Sequence, residues 1–360
     1  MATAPRSPAQ SSQTQSSQTI YPGDVIQGVP VITQLACADL APGQHRFYFQ
    51  GVEMGTGQHW YVPVRVVKGH RLGPCIALIA GVHGDELSSM NAVQRTIAAL
   101  GPDHMSGTVI AVLGLSRAAL EFTLAQWPMA YGGGASVDIN RVWPGNENGD
   151  NPPTRHAGLI WNRLLRPNID RAIDFHTIST GSDFTLFIYA DLRQPEIRQM
   201  AELFPVEQIK DDPGESGTLE TALVEAGIPA LTVEIGSPRI YDSNKIALAV
   251  EGTLNVLKHH RMIGGELGQT AQDVGSFLGN QFETIRSTTG GFIEMLVDVK
   301  DTVSADQVVA IQRNAFGDVV AEYKAGVCGQ VATIARDALS EPGSRIIQIL
   351  YRQEPELNAI

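Results

Sequence analysis

The sequence predicts an α/β fold built on a parallel sheet, followed by a smaller all-β part. Apolar runs at residues 75–80, 108–113, 171–175 and 230–235 are typical of strands that are buried on both faces. Segments with helical periodicity separate these runs, and strands that alternate with helices favour a parallel sheet. After Gly264 the sequence changes to short strands punctuated by glycine, which indicates the β part.

The elements around these strands have signals of their own. Aromatic and β-branched residues predict edge strands at residues 46–50 and 60–67. Apolar residues that recur at helical spacing predict helices at about residues 88–100, 154–165, 218–226 and 244–260. Further strands are predicted at residues 184–190, 292–299, 308–313, 329–334 and 345–351.

The composition is that of an ordinary globular chain. Its 360 residues are 43% hydrophobic and 18% charged, which are typical values for a folded protein. Residues 1–20 are rich in Ser, Gln, Thr and Pro and lack the apolar centre of a signal peptide, so we expect a disordered tail. A main domain over residues 21–263 and a β domain over residues 264–360 would follow.

The net charge and the cysteine content limit the classes of binding partner and the cellular compartment that we expect. The net charge of −12 argues against nucleic acid and anionic membranes as partners. No run of eighteen apolar residues is present, so no membrane-spanning segment is predicted. Cys37, Cys75 and Cys328 form no C-x-x-C pattern, which favours a reducing compartment. We therefore expect a cytoplasmic protein that binds small molecules, with homo-oligomerisation left open.

Two strand ends carry the residues that decide the candidate chemistry. His83-Gly-Asp-Glu86 follows the strand at residues 75–80, and His176 follows the strand at residues 171–175. Open α/β sheets bind their ligands at the carboxyl ends of strands. Two histidines and one glutamate are the ligand set of a catalytic zinc with one position open for water. Zinc lowers the pKa of that water to about 7, so hydroxide is available at neutral pH.

A histidine and a glutamate three residues apart also occur together by chance. The second histidine, at the next suitable strand end, is what strengthens the metal interpretation. Six further histidines lie in loops or at helix ends without a matching context. We expect them at the surface: His59, His70, His104, His156, His259 and His260.

The loop at residues 126–153 contains the segment Asp138-Ile-Asn-Arg141. Loops of this length within a compact domain usually carry function. The segment is either a turn in which Asp and Asn satisfy the backbone or part of a binding site. In a site, Arg141 would offer a planar fork to a substrate carboxylate, and Asn140 a second polar contact. Asp138 would hold the second nitrogen of a zinc histidine.

Glu234 places a carboxylate near the end of the apolar strand at residues 230–235. One interpretation is an ordinary strand-end salt bridge. The other is catalytic, because a lone carboxylate in such a place is costly unless it is partnered or functional. Beside a zinc it would take a proton from the metal-bound water and later give it to the leaving nitrogen.

Four motifs, in this order, resemble those of the succinylglutamate desuccinylase/aspartoacylase family of the zinc carboxypeptidase-like group: His83-Gly-Asp-Glu86, Asp138-Ile-Asn-Arg141, Asp174-Phe-His176 and Val233-Glu234-Ile-Gly236. The resemblance covers about residues 45–350. It implies a doubly wound mixed sheet of zinc carboxypeptidase type and one zinc per chain. It implies that the zinc ligands are His83, Glu86 and His176. It also implies that Glu234 is the general base and acid, and that Asn140 and Arg141 hold the substrate carboxylate.

The chain departs from the family at one catalytic position. An arginine that often precedes the Asp-x-Asn-Arg motif and polarises the scissile carbonyl is absent. Arg117 is the candidate substitute, although a surface position is the other interpretation of this residue. Gln126, Tyr131 and backbone groups are the remaining candidates. Loss of an oxyanion donor typically costs about 10²–10³ in rate.

Together these features predict a zinc-dependent amidohydrolase that cleaves the amide bond of a small N-acyl amino acid or related amide. Zinc-bound hydroxide is the expected nucleophile, and Glu234 carries the proton. A metallocarboxypeptidase is an alternative, although the β domain argues against access by long peptides. A zinc-binding regulatory protein with decayed catalysis is another; the absent arginine favours it and the presence of Glu234 disfavours it.

Overall fold

The computed structural model describes residues 18–354. The strands of the first half are, in chain order, β1 Val25–Ile26, β2 Val29–Ile32, β3 Gly43–Glu53, β4 His59–Lys68, β5 Arg71–Ala80, β6 Ser106–Leu113, β7 Trp127–Pro128, β8 Ser136–Val137 and β9 Arg171–His176. The later strands are β10 Ser182–Phe184, β11 Leu186–Ala190, β12 Gln208–Asp211, β13 Ala230–Ile235, β14 Phe277–Gly279, β15 Gln281–Arg286, β16 Gly291–Met295, β17 Thr302–Val303, β18 Val308–Arg313, β19 Val319–Lys324, β20 Gly329–Ala335, β21 Leu339–Ser340 and β22 Arg345–Tyr351.

The helices of the same range are α1 Leu87–Ala98, α2 Arg117–Glu121, α3 Pro152–Ile160, α4 Pro195–Glu202, α5 Leu219–Glu225, α6 Ser243–His259 and α7 Ala271–Val274. The four predicted helices are confirmed as α1, α3, α5 and α6, with ends shifted by a few residues. The short elements α2, α4, β12 and β19 were not predicted, because a few residues give little periodicity to detect. Within the described chain, no helix is both long and apolar enough to cross a membrane.

The largest sheet among the described residues has eleven strands in the order β1-β2-β3-β4-β6-β5-β9-β13-β11-β12-β14. Its centre is parallel: β6, β5, β9 and β13 run in the same direction. The flanking strands β4 and β11 are antiparallel to this centre. The carboxyl ends of β5, β9 and β13 therefore lie side by side at one end of the sheet.

Helices cover both faces of this sheet. Ile76 and Leu78 of β5 pack in a core with α1, α4 and α6, whereas Ala77 and Ile79 pack on the opposite face with α3 and α5. Successive side chains of a strand point to opposite faces, and all four of these residues are fully buried. Burial on both faces explains the continuous apolar run in the sequence. The predicted doubly wound mixed sheet, with further β-sheets at the C-terminal end, is confirmed.

The main sheet and the C-terminal sheets share strands across the predicted boundary at residue 264. Among the described residues, one smaller sheet contains β10, β20, β22, β15 and β17, and another contains β19, β18, β16 and β21. Although β14 follows the boundary, it pairs with β12 of the main sheet. Although β10 precedes the boundary, it pairs with β20. The two parts are therefore joined by backbone pairing in both directions, and their division into domains stays a prediction.

The single strand predicted at residues 184–190 is wrong, because it is two strands in two sheets. Phe184 ends β10 and Leu186 begins β11. Between them, the Thr185 hydroxyl donates to Gln208 Oε1 over 2.9 Å. Both pieces are apolar because both are buried, so the sequence pattern does not reveal that the chain changes sheets.

The predicted tail over residues 1–20 lies outside the described residues as far as residue 17. Its last residues are ordered, which the prediction missed. The Thr19 backbone N–H donates to Asp39 Oδ2 over 2.6 Å, and Ile20 forms a β-bridge with Gln34. These contacts depend on Gln34 and Asp39 lying alongside the segment, which its polar composition does not reveal.

His156 is buried, and the prediction of a surface position is wrong. The residue is 0% exposed. Its Nε2 donates to the Leu115 carbonyl over 3.0 Å, and its Nδ1 accepts from the Val52 N–H over 3.2 Å. Burial lowers the pKa of His156 to about 4, against the raising effect of the Leu115 bond. The ring is therefore neutral at pH 7 and ties α3 to the sheet. His70, His104 and His259 are exposed as predicted.

Candidate metal centre and active site

Three side chains with metal-ligating atoms converge at the carboxyl ends of β5 and β9. His83 lies in the turn after β5, Glu86 immediately precedes α1, and His176 ends β9. His83 Nδ1 lies 2.8 Å from Glu86 Oε1, and His176 Nδ1 lies 2.9 Å from Glu86 Oε2. One ligand atom from each residue lies within 4.8 Å of the other two. The structure thus brings the three sequence-predicted ligands into one cluster.

The turn after β5 needs a glycine to place this cluster. Gly81 has a φ of +75°, and a Cβ at this position would lie 2.6 Å from Gly114 Cα. A larger residue would be strained here and would also clash with the neighbouring turn. Asp85, inside the motif, accepts a hydrogen bond from Thr180 Oγ1 over 2.5 Å. This bond links the turn after β5 to the loop that follows β9.

A carboxylate lies against the second ring nitrogen of each histidine. His83 Nε2 is 3.1 Å from Asp138 Oδ1, and His176 Nε2 is 3.0 Å from Asp174 Oδ2. Such outer carboxylates orient metal-ligating histidines and raise their basicity. The sequence predicted this contact for Asp138 but missed it for Asp174. A signal was available, because residues two apart on a strand share one face.

Buried atoms of the cluster support a bound cation. Among the described residues, no aligned hydrogen bond is made by Glu86 Oε2, His176 Nε2 or either oxygen of Asp174. The short distances above therefore join groups that are close without being well paired. Buried polar atoms without partners are uncommon and point to an ion or water. Two imidazoles and a carboxylate are the donors of a catalytic zinc, so these residues fit a zinc ion.

The charges of the cluster are strongly coupled. Burial lowers the pKa of His83, but the carboxylates of Glu86 and Asp138 outweigh burial and raise the value to about 10. Burial likewise lowers the pKa of His176, and Asp174 and Glu86 raise it well above its ordinary value. Burial raises the pKa of Glu86, while the two histidines lower it further than burial raises it. The carboxylates of Glu86, Asp138 and Asp174 therefore favour positive charge on or between the two histidines.

Glu234 lies on β13, directly beside His176 on β9. Its Oε2 is buried and has no hydrogen-bond partner in the described part of the chain. Burial raises the pKa of Glu234 to about 7; the neighbouring histidines lower it, and Glu86 and Asp174 raise it. A carboxyl group with a pKa near 7 can both accept and donate a proton at neutral pH.

These groups open into a cavity of about 300 Å³. Its lining includes the cluster, Glu234, Asn140 and Arg141, with Tyr189, Glu215 and Glu220 on further walls. Arg141 lies 3.2 Å from Glu215 and 3.8 Å from Asp138, and its side chain is 48% exposed. Asn140 Oδ1 accepts from the Leu219 N–H over 2.9 Å, so the start of α5 fixes its position.

The candidates for a carbonyl contact lie elsewhere. Arg117 begins α2, pairs with Glu121 over 2.5 Å and does not line the cavity. Gln126 accepts from Ser136 over 2.6 Å, and Tyr131 is 58% exposed; neither lines the cavity. The sequence reasoning missed Tyr189 and Glu220, which do line it. They follow no motif and reach the cavity only through the packing of β11 and α5.

Solved structures share this architecture. The ectoine utilization protein EutE (DoeB) from Ruegeria pomeroyi, in a product-bound structure, matches with a TM-score of 0.77 and 22% identity, over 87% of this chain and 96% of that one. A succinylglutamate desuccinylase/aspartoacylase from Rhodobacter sphaeroides matches with a TM-score of 0.75 and 22% identity, over 89% and 100% of the two chains. The fold is therefore of the zinc carboxypeptidase-like class.

Sequence comparison gives the family. The model of the succinylglutamate desuccinylase/aspartoacylase catalytic domain matches residues 72–260, and the chain belongs to this family of deacylases. A relative from Halomonas elongata, N-alpha-acetyl-L-2,4-diaminobutyric acid deacetylase, is 26% identical over 282 residues, covering 75% of this chain and 80% of that protein.

Proposed function

We propose that the protein is a zinc-dependent deacylase that hydrolyses the amide bond of a small N-acyl amino acid. One observation carries the proposal: Glu234 lies beside His176 on the neighbouring strand, at the cluster that His176 forms with His83 and Glu86. A metal-ligand set, an adjacent carboxyl group with a pKa near 7 and a small cavity are the parts that metal-assisted amide hydrolysis requires.

Each residue has a defined task in this proposal. His83, Glu86 and His176 would hold zinc, which supplies Lewis-acid activation of water and of the scissile carbonyl. Asp138 and Asp174 keep the two imidazoles oriented.

Proton transfer and substrate binding fall to the chain's other groups. Glu234 accepts a proton from the attacking water and delivers it to the departing nitrogen. Arg141 binds the substrate carboxylate with its planar fork, and Asn140 adds a polar contact. Because Arg141 already contacts Glu215, the incoming carboxylate takes the place of Glu215 on the guanidinium.

The family and its relatives support this substrate class. The Halomonas elongata relative is named as a deacetylase of an N-acetylated amino acid. A cavity of about 300 Å³ suits such a molecule better than a peptide, which disfavours a metallocarboxypeptidase. A cytoplasmic location and homo-oligomerisation remain proposals from the sequence alone.

Turnover of a panel of N-acyl amino acids tests the proposal. Zinc-loaded protein should release free amine, and a chelator should abolish the release until zinc is added back. The Glu234→Gln variant should keep stoichiometric zinc and lose about 10²–10⁴ in kcat, as expected when general acid–base catalysis is removed. Near-normal kcat in that variant would exclude Glu234 from proton transfer. A zinc-loaded wild type without turnover of any substrate would instead favour the regulatory alternative.

A further inference from the structure

The cavity contains one buried carboxyl group that the proposed chemistry does not use. Glu220, the second residue of α5, lines the same cavity as Asn140 and Arg141 and is 7% exposed. The Thr221 hydroxyl donates to its Oε2 over 3.2 Å. Within residues 18–354, its other oxygen, Oε1, accepts no hydrogen bond. Glu220 thus presents a poorly satisfied carboxyl group to the space that a substrate would fill.

The other acidic residues of this wall already have basic partners. Asp212 is 2.6 Å from Lys210 Nζ, and Glu215 is 3.2 Å from Arg141. Glu220 forms no ion pair with any lysine, arginine or histidine of the described chain. A buried carboxylate is costly unless a charge or hydrogen bonds compensate it. Since the described residues supply no cation here, ionisation of Glu220 is unfavourable in the empty cavity, and a cationic ligand would make it favourable.

We propose that Glu220 is a specificity-determining residue that binds a cationic group, an ammonium on the side chain of the substrate's amino acid. This inference rests on the proposed deacylase function and adds the class of amino acid. The zinc cluster holds the acyl end, Arg141 holds the α-carboxylate, and Glu220 holds the third substituent. The favoured substrate is therefore an N-acyl diamino acid with a short side chain, because the cavity measures only about 300 Å³.

The protonation of Glu220 agrees with this role. Burial raises the pKa of Glu220 to about 8; the Thr221 hydroxyl lowers it, and the carboxylates of Asp212, Asp174 and Asp191 raise it. The group is therefore mostly protonated in the ligand-free protein at pH 7. A bound ammonium stabilises the ionised form, so binding of the cation should release a proton to the buffer.

Two substrates that differ only in the side-chain ammonium measure how much that charge contributes to recognition. Nα-acetyl-L-2,4-diaminobutyrate and N-acetyl-L-norvaline have side chains of equal length, and only the first carries an ammonium. Wild-type protein should prefer the first by at least about tenfold in kcat/KM, since an ion pair in a desolvated pocket discriminates strongly against a neutral isostere. Glu220→Gln should remove most of this preference, chiefly through KM for the ammonium substrate. The control Glu225→Gln removes the same charge from an exposed position of α5 and should leave the preference intact.

The outcomes separate this inference from the proposed function. A wild type that prefers the neutral substrate, or a Glu220→Gln variant that keeps the preference, overturns the inference while deacylation stands. If no N-acyl amino acid is hydrolysed, calorimetry of free 2,4-diaminobutyrate and norvaline with the zinc-loaded protein decides. Tighter binding of the diamino acid that is lost in Glu220→Gln, with a proton released in wild type only, supports the cation site. Equal binding of the two amino acids in wild type overturns it.

Discussion

The strand ends and the loop wall of the cavity hold their functional groups in different ways. The strand-end groups are His83, Glu86, His176 and Glu234. The groups called the loop wall are Asn140, Arg141 and Glu215 in connecting segments, together with Glu220 on helix α5. At the strand ends, the side chains of Glu86 and His176 are 5% and 4% exposed. The backbone of His176 is paired with that of Glu234 in the sheet, and Glu86 lies at the start of α1. In the loop wall, the side chains of Arg141 and Glu215 are 48% and 66% exposed and contact each other.

Under the proposed function, the strand-end groups carry out the reaction and the loop-wall groups select the substrate. His83, Glu86 and His176 lie against one another and against Asp138 and Asp174, so these three ligand groups are placed by the protein itself. The wall groups Arg141 and Glu215 form an ion pair, which a substrate carboxylate would displace under the proposed function. A change at the strand ends should therefore impair every substrate alike. A change in the wall should alter which substrate is preferred.

Loss of His176 is expected to have the largest effect. The His176→Ala variant should lose most of its zinc and essentially all turnover, because only two ligands remain. Asp174→Asn should keep the ligand and weaken zinc binding by about 10–100-fold, as is typical for an outer-shell partner. Metal analysis after dialysis against a chelator series measures both. Full zinc occupancy in His176→Ala would refute the ligand assignment.

Replacement of Arg141 should weaken recognition of the substrate's α-carboxylate. Arg141→Lys keeps the charge but cannot reproduce the planar fork, so kcat/KM for a free α-carboxylate should fall by about 10–100-fold, in line with losing a charged hydrogen-bonded contact. The α-amide form of the same substrate should be hydrolysed poorly by the wild type and be less affected by the substitution. Arg166→Lys, at an exposed position after α3, is the matched control. Equal kcat/KM for acid and amide in the wild type would contradict the role of Arg141.

His156 should make the free energy of unfolding depend on pH, because it is buried between α3 and the sheet. Its folded-state pKa of about 4 lies below the ordinary 6.5, so the unfolded chain binds the proton more readily. The stability that neutral His156 provides is complete above pH 6.5 and is lost as pH falls toward 4. Between pH 7 and pH 5 the wild type should lose about 2 kcal/mol more free energy of unfolding than His156→Gln. Urea unfolding at both pH values measures this, and parallel losses would show that His156 does not titrate as a buried group.

Arg117 should have the smallest effect. Its guanidinium pairs with Glu121 within α2 and lies outside the cavity lining. Arg117→Ala should change stability by no more than about 0.5 kcal/mol, the usual worth of such a helical pair. Its kcat should stay within twofold of wild type. A loss of about 10²–10³ in kcat would instead mean that Arg117 moves to the carbonyl oxygen in the complex.

The sequence indicated which strand-end groups lie close together, because their signals are local. His83, Glu86 and His176 follow apolar runs whose periodicity is strong, and their chemistry restricts what they can do together. The loop wall was predicted only where a motif exists, at Asn140 and Arg141. Glu220 sits on an unremarkable short helix, and its burial depends on how α5 packs against β9 and β13. Such packing arises from contacts between distant segments, which a single sequence does not display.

The changes of sheet were unpredictable for a related reason. An apolar segment indicates burial but does not say against which partner. Residues 184–190 were equally compatible with one strand or two. The contact of Thr19 with Asp39 and the β-bridge of Ile20 left no trace in the composition. His156 is the converse case, a polar residue whose burial the sequence does not reveal. Its polar side chain predicted exposure, whereas two backbone groups satisfy it in the interior.

The pairing of β10 with β20 and of β14 with β12 limits how far the chain can be shortened. The segment that matches the family model, residues 72–260, stops before β14 and before all partners of β10. A chain trimmed to those limits would leave Phe184 and Phe187 without Ala332 and Leu350, against which they pack. It would also expose unpaired strand edges, which favour aggregation. The segment that matches the family model is therefore shorter than the set of strands that pair with one another across residue 264.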